Sequence, residues 1–141
     1  METSANIRRP RFRGKAVLIA DDDPSIRFVV GRTIEKLGCR VCEVDDGAEV
    51  PEAVSREPFN LLVLDLYMPG MNGFEVLRQL RHPAIGLLPA PRTPSDVRVL
   101  ILSSENNPAS VEHARAAGAD DYLTKPFDID ELSQRVRELL R

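Results

Sequence analysis

The sequence predicts an α/β protein built on a five-stranded, doubly wound parallel sheet. Three observations lead there. Short apolar runs of strand length alternate five times with segments whose apolar residues recur at helical spacing. The run Leu61-Leu62-Val63-Leu64 has no polar alternation, as expected of a strand covered by helices on both faces. The runs also end in carboxylates, a hydroxyl or a lysine, and the carboxyl ends of such strands form the rim where open α/β sheets bind ligands. Strands alternating with helices close into a parallel sheet through right-handed crossovers.

Lys15 to Ala20 reads as the first buried strand, ending in Asp21-Asp22-Asp23. Pro24 suits the first turn of a helix, in which Ile26, Val29, Val30, Thr33, Ile34 and Leu37 mark one inward face until Gly38 stops it. Arg40 to Val44 is a short second strand, and Asp45-Asp46-Gly47 offers a turn and a cap for a second helix running to about Arg56. Pro51 predicts that this helix is short or distorted in its first turn, because proline lacks the N–H and clashes one turn back. The third strand ends at Asp65, and Pro69-Gly70 and Asn72-Gly73 turn the chain before a helix over Gly73 to Arg81, with Phe74, Val76, Leu77 and Leu80 inward.

The stretch 82–96, from His82 to Asp96, holds four prolines and exceeds the usual helix-to-strand loop of about two to six residues, which marks it as a partner-specific feature or a tolerated insertion. Val97 to Leu102 is a fourth strand followed by Ser103-Ser104-Glu105. Asn107-Pro108 opens a helix with Val111, Ala114 and Ala117 inward, and Gly118 closes it. Asp121 to Thr124 is a short fifth strand, Lys125-Pro126 follows, and the final helix places Ile129, Leu132, Val136 and Leu139 on one face.

A chain of 141 residues fits one domain with a sizeable core, and 43% hydrophobic and 29% charged residues are ordinary for a globular protein. No apolar run approaches a membrane span, and residues 1–14 carry Arg8, Arg9, Arg11 and Arg13 without the apolar stretch of a secretory signal, so the default location is cytoplasmic. Those residues are expected to form a flexible basic arm ahead of a domain over 15–141. The net charge of -3 argues against a nucleic-acid-binding body. Cys39 and Cys42 lead from a helix into a strand, which suits two buried thiols better than a redox or zinc motif, and His82 and His113 join no constellation.

The parallel sheet gathers Asp21, Asp22, Asp65, Ser103 and Lys125 on one rim. Taken alone, Asp65 is better explained as a cap of its strand or of the following turn. Carboxylates brought together repel one another unless a cation compensates, and hard oxygen ligands with open positions suit Mg2+ and, through it, phosphate oxygens. A carboxylate nucleophile, a divalent ion and a lysine are the parts required for phosphoryl transfer to an aspartate.

With these residues in place, the chain resembles the receiver domain of bacterial two-component response regulators, in the stand-alone, chemotaxis-regulator-like form. The resemblance covers Lys15 to Arg141 and rests on Asp21-Asp22, on Asp65 with Met68-Pro69-Gly70-Met71-Asn72-Gly73, on Ser103, and on Gly118-Ala119-Asp120-Asp121-Tyr122-Leu123-Thr124-Lys125-Pro126-Phe127. It implies a flavodoxin-like (βα)5 fold with strand order 2-1-3-4-5. Asp65 would accept a phosphoryl group from a histidine kinase or histidine phosphotransfer protein. Mg2+ would be bound by Asp22, Asp65 and the backbone carbonyl of Tyr67, with Asp21 acting through water. Ser103 and Lys125 would contact the phosphoryl group, the Lys125-Pro126 bond would be cis, and Tyr122 would turn inward on phosphorylation. The face of the fourth helix, fifth strand and fifth helix would then bind a downstream protein, with a phosphorylation-dependent homodimer left open.

Tyr67, two residues past Asp65, departs from the family's common pattern: its bulk stands where hydrolytic water would approach, which implies slow autodephosphorylation. Two other readings compete. A phosphatase with an aspartate nucleophile, similar to the haloacid dehalogenase family, wants a second Asp where this chain has Tyr67. A scaffold signalling without phosphate would be marked by loss of the acidic pair or the lysine, and both are present.

Overall fold

In a computed structural model, which describes residues 12–70, 72–83 and 91–141, five strands lie parallel in the order β2-β1-β3-β4-β5. In chain order the elements are β1 (Ala16–Ala20), α1 (Pro24–Glu35), β2 (Arg40–Val44), a 3-10 turn (Gly47–Glu49) running into α2 (Val50–Arg56), β3 (Leu61–Asp65), α3 (Gly73–Arg81), β4 (Arg98–Ser103), α4 (Pro108–Ala116), β5 (Asp121–Thr124) and α5 (Ile129–Leu139). Among the described residues no helix is long and apolar enough to cross a membrane.

Two cores flank the sheet. Successive strand residues point to opposite faces, so Leu62 and Leu64 pack with Val54 of α2, Val76 and Leu77 of α3 and Ala114 of α4. Leu61 and Val63 pack on the other face with Val30 and Ile34 of α1 and Leu132 and Val136 of α5. Burial on both faces is why β1 and β3 carry unbroken aliphatic runs.

Pro51 lies in the first turn of α2, where its missing N–H costs nothing, and the 3-10 turn ahead of it takes up the expected distortion. Asp46 caps that turn, Asn72 caps α3 in a reciprocal capping box with Glu75, and Asn107 caps α4. The strand expected over Val97 to Leu102 lies one residue later.

Four expectations need correction. Phe12, expected in the flexible arm, is buried against the α1–α5 core, and its N–H donates to the Leu37 carbonyl (3.1 Å). Val29, at the edge of the α1 stripe, is 36% exposed. Ile129, the first residue of α5, is 46% exposed because the inward stripe begins at Leu132. Cys42 is only half-buried, and both cysteines are free. Residues 1–11 of the N-terminal arm, residues 84–90 of the Pro-rich stretch and Met71 lie outside the described residues. The far end of that stretch is anchored: buried Thr93 accepts from the Phe59 N–H (2.9 Å) and donates to the Glu57 carbonyl.

Candidate functional site: the acidic rim

Strand register assembles the site. Ala20, Leu64, Ile101 and Tyr122 lie level across the sheet, so the next positions bring Asp21 and Asp65 side by side. Ser103 ends β4, and Lys125 directly follows β5, its N–H donating to the Ser103 carbonyl (2.8 Å). Asp21, Asp22 and Asp65 each present a carboxylate oxygen within 4.8 Å of the others.

Asp21 is buried and fully engaged. One oxygen accepts from the Asp23 N–H (2.9 Å) and the other from the Lys125 ammonium (2.8 Å). Asp22 is exposed, and among the described residues no donor holds its carboxylate. Asp23 serves α1 instead, accepting from the Ser25 N–H as its cap.

Asp65, 7% exposed, accepts from the Tyr67 N–H (3.3 Å) and from Lys125 Nζ (3.3 Å). Burial pushes its carboxyl above the ordinary aspartate range; Lys125 pulls it back and Asp21 adds to the rise, leaving it raised overall. For Lys125 burial opposes the charge, but the hydrogen bond to Asp21 and the charges of Asp65 and Asp21 outweigh it, so the ammonium is held more firmly than usual. The single ammonium is shared, and it stands closer to Asp21.

Ser103 is completely buried; its oxygen accepts from the Glu105 N–H (3.1 Å), which leaves the hydroxyl hydrogen available to donate. Tyr122 is half-buried against the core, and its hydroxyl donates to the Glu105 carbonyl (2.6 Å), tying β5 to the loop that follows Ser103. The Lys125-Pro126 peptide is cis. Tyr67 is 52% exposed. A side chain at Gly73 would meet the Leu66 Cα (2.8 Å) and the Asp65 carbonyl (2.9 Å), so only glycine lets α3 start this close to the end of β3.

The geometry adds Arg27, which sequence reasoning missed. Its guanidinium donates to the Asp21 carbonyl (2.7 Å) and to Glu43 (3.2 Å). The available signal was a basic residue one turn into the helix that follows an acidic run. His113, isolated in the sequence, stacks on Phe74 with ring centroids 4.2 Å apart.

Oxygen donors this close, on two buried carboxylates and one exposed one, form a group of the kind that holds a hard divalent cation. Comparison with known proteins identifies the family. The response regulator receiver domain family matches residues 17–137. Response regulator protein PmrA of Pseudomonas aeruginosa is 41% identical over 125 residues, 89% of this chain and 52% of that protein. Response regulator MprA of Mycobacterium leprae is 38% identical over 89% of this chain and 50% of its own length. The chain thus spans about half the length of these curated relatives. Among solved structures, chemotaxis response regulator CheY4 of Vibrio cholerae superposes with a TM-score of 0.77 at 28% identity, covering 89% of this chain and 98% of that one. A family match across both cores and every residue of the acidic rim leads to one assignment: this chain belongs to the response regulator receiver domain family of two-component systems.

Proposed function

We propose that the chain is a phosphoryl-accepting switch rather than a turnover enzyme, with Asp65 as acceptor and a histidine kinase or histidine phosphotransfer protein as donor. The observation that carries this is the placement of Asp65: its carboxylate lies at the carboxyl end of the central strand β3, buried, beside one shared ammonium and two further carboxylates. An Asp65 oxygen attacks phosphorus in line. The P–O bond forms as the P–N bond of the phosphohistidine breaks, and the imidazole nitrogen keeps the electron pair and takes up a proton.

Asp22, Asp65 and the Tyr67 carbonyl are the direct Mg2+ ligands in this reading, and the free carboxylate of Asp22 supports its part. Both oxygens of Asp21 are engaged, which suits it to act through a bound water. Bound Mg2+ supplies charge neutralisation for the phosphoryl oxygens. Lys125 pairs with the same oxygens and the Ser103 hydroxyl donates to one of them. The hydroxyl-to-carbonyl bond from Tyr122 to Glu105 supports a route from Ser103 to β5. Output goes to a protein partner on the α4-β5-α5 face, where Val111, Arg115, Ala119, Asp121 and Tyr122 line a shallow depression.

The test is mass spectrometry after incubation with acetyl phosphate and Mg2+. One added phosphoryl group that requires Mg2+ and is lost in Asp65→Asn is the expected result. A chain that binds Mg2+ but forms no adduct is instead a phosphate-independent scaffold.

A further inference from the structure

The loop between β3 and α3 presents Tyr67 to the acidic rim, and it is held from two sides. At its start, the Gly73 N–H donates to the Leu66 carbonyl (2.8 Å). At Pro69-Gly70 the brace comes from the turn after the edge strand β2. The Gly47 N–H donates to the Pro69 carbonyl (3.3 Å). Gly70, at φ +83°, lies so close to Asp46 that a Cβ there would stand 2.0 Å from Asp46 Oδ1 and 2.8 Å from its Cγ. Asp46 cannot yield freely, because the same oxygen accepts from the Ala48 N–H (2.8 Å) as the cap of the 3-10 turn. The end of β2 also reaches the other half of the site: the Val44 carbonyl accepts from the Asp21 N–H (3.2 Å). Thus a strand that contributes no group to the rim braces the two segments that carry its carboxylates.

We propose that Asp46 and Gly47 are positioning residues for the metal and phosphoryl site: the turn after β2 seats Pro69-Gly70 and thereby sets where the Tyr67 carbonyl stands relative to Asp22 and Asp65. The proposal rests on the reading of this rim as a Mg2+ site. Groups that orient metal ligands without touching the ion typically change affinity by about 10–100-fold when removed.

The experiment is Mg2+ titration calorimetry on wild type, Asp46→Ala and Asp46→Asn, with urea melts and acetyl phosphate labelling rates across Mg2+ concentrations. Asp46→Ala is expected to weaken Mg2+ binding about tenfold, while its labelling rate at saturating Mg2+ stays near wild type. Asp46→Asn keeps the acceptor and the bulk on which Gly70 sits, and it should stay close to wild type. An Asp46→Ala chain that is less stable but binds Mg2+ normally overturns the proposal, since the turn would then be structural only. Equal weakening in both variants also overturns it, because lost charge would suffice. If Asp46→Ala does not fold, Gly70→Asn takes its place: Asn tolerates positive φ but drives a Cβ into Asp46, and unchanged Mg2+ affinity would again overturn the proposal. Wild type that binds no Mg2+ removes this proposal together with the reading beneath it, whereas normal wild-type binding with an indifferent Asp46→Ala removes this one alone.

Discussion

Arg81 offers a prediction whose size follows from its contacts. Its side chain, 16% exposed, ends α3 and reaches in three directions. Nε and Nη2 donate to the Gly118 carbonyl (3.2 and 2.6 Å), and Nη1 donates to the carbonyls of Val97 (2.6 Å) and Ser95 (2.8 Å). Nη2 also meets Asp120 (3.2 Å), whose carboxylate receives the Val99 N–H (2.8 Å). One guanidinium therefore joins α3, the entry to β4 and the turn leading into Tyr122. Arg81→Ala strands these acceptors. Ser95 is exposed and Asp120 keeps other donors, so both are discounted to nearly nothing. The Gly118 and Val97 carbonyls remain, each accepting from a cation in a poorly solvated place. Hydrogen bonds to charged groups contribute about 1.5–3 kcal/mol each, so the loss should be ~3 kcal/mol. For a domain of this length that corresponds to a fall in Tm of about 10 °C. Urea unfolding followed by circular dichroism should show a lower midpoint at an unchanged slope. Arg81→Lys should recover at most one of the acceptors. A loss below about 1 kcal/mol would mean that water replaces the guanidinium, and the reasoning would fail.

Tyr67→Asn should shorten the lifetime of phosphorylated Asp65 several-fold, because the half-exposed ring would no longer shield the in-line path of water; an unchanged decay rate defeats this. Asp65 makes stability depend on pH in a definite direction. Its folded-state pKa is raised, so the native chain binds its proton more tightly than the unfolded chain does, and stability falls as pH rises from the unfolded to the folded pKa. Above both values the cost is constant. Asp65→Asn should therefore raise Tm at pH 7 and flatten the acidic side of the Tm profile, and a variant no more stable than wild type at pH 7 refutes the assignment.

The fold was legible because its cause is local and repeated. Unbroken aliphatic runs such as Leu61 to Leu64 report burial on two faces, and three of the five described helices announce their start with Pro24, Asn72 or Asn107. The rim was legible for a related reason: in a parallel sheet, residues at strand ends converge whatever their separation in the chain. Contacts that depend on how loops fold over one another left no such trace. Arg27 turning back to the Asp21 carbonyl, Arg81 finding Gly118, and Gly70 resting on Asp46 join segments with no shared periodicity. Phe12 was missed because it precedes the first strand and belongs to no pattern, and Val29 and Ile129 because a stripe read from spacing has no defined edge.

The charges on the rim are unevenly compensated. Three carboxylates face one ammonium, and the ammonium lies nearer Asp21 (2.8 Å) than Asp65 (3.3 Å). Asp21 also has the Asp23 N–H, whereas Asp65 has a longer bond from Tyr67 and the greater need. Lysine thus neutralises Asp21 more closely and leaves partly uncompensated the group proposed to react. A site built for stability alone would place the ammonium on Asp65 or substitute an apolar residue, since a poorly compensated buried carboxylate costs free energy. The imbalance fits a site that receives a further divalent cation, after which Lys125 is free to follow the incoming phosphoryl oxygens. On this view, moving the lysine's partner is as informative as removing the lysine. Asp21→Asn should release Lys125 toward Asp65, lower the Asp65 pKa and weaken Mg2+ binding together. An Asp65 carboxyl resonance that titrates as in wild type would show that Lys125 was never shared between the two.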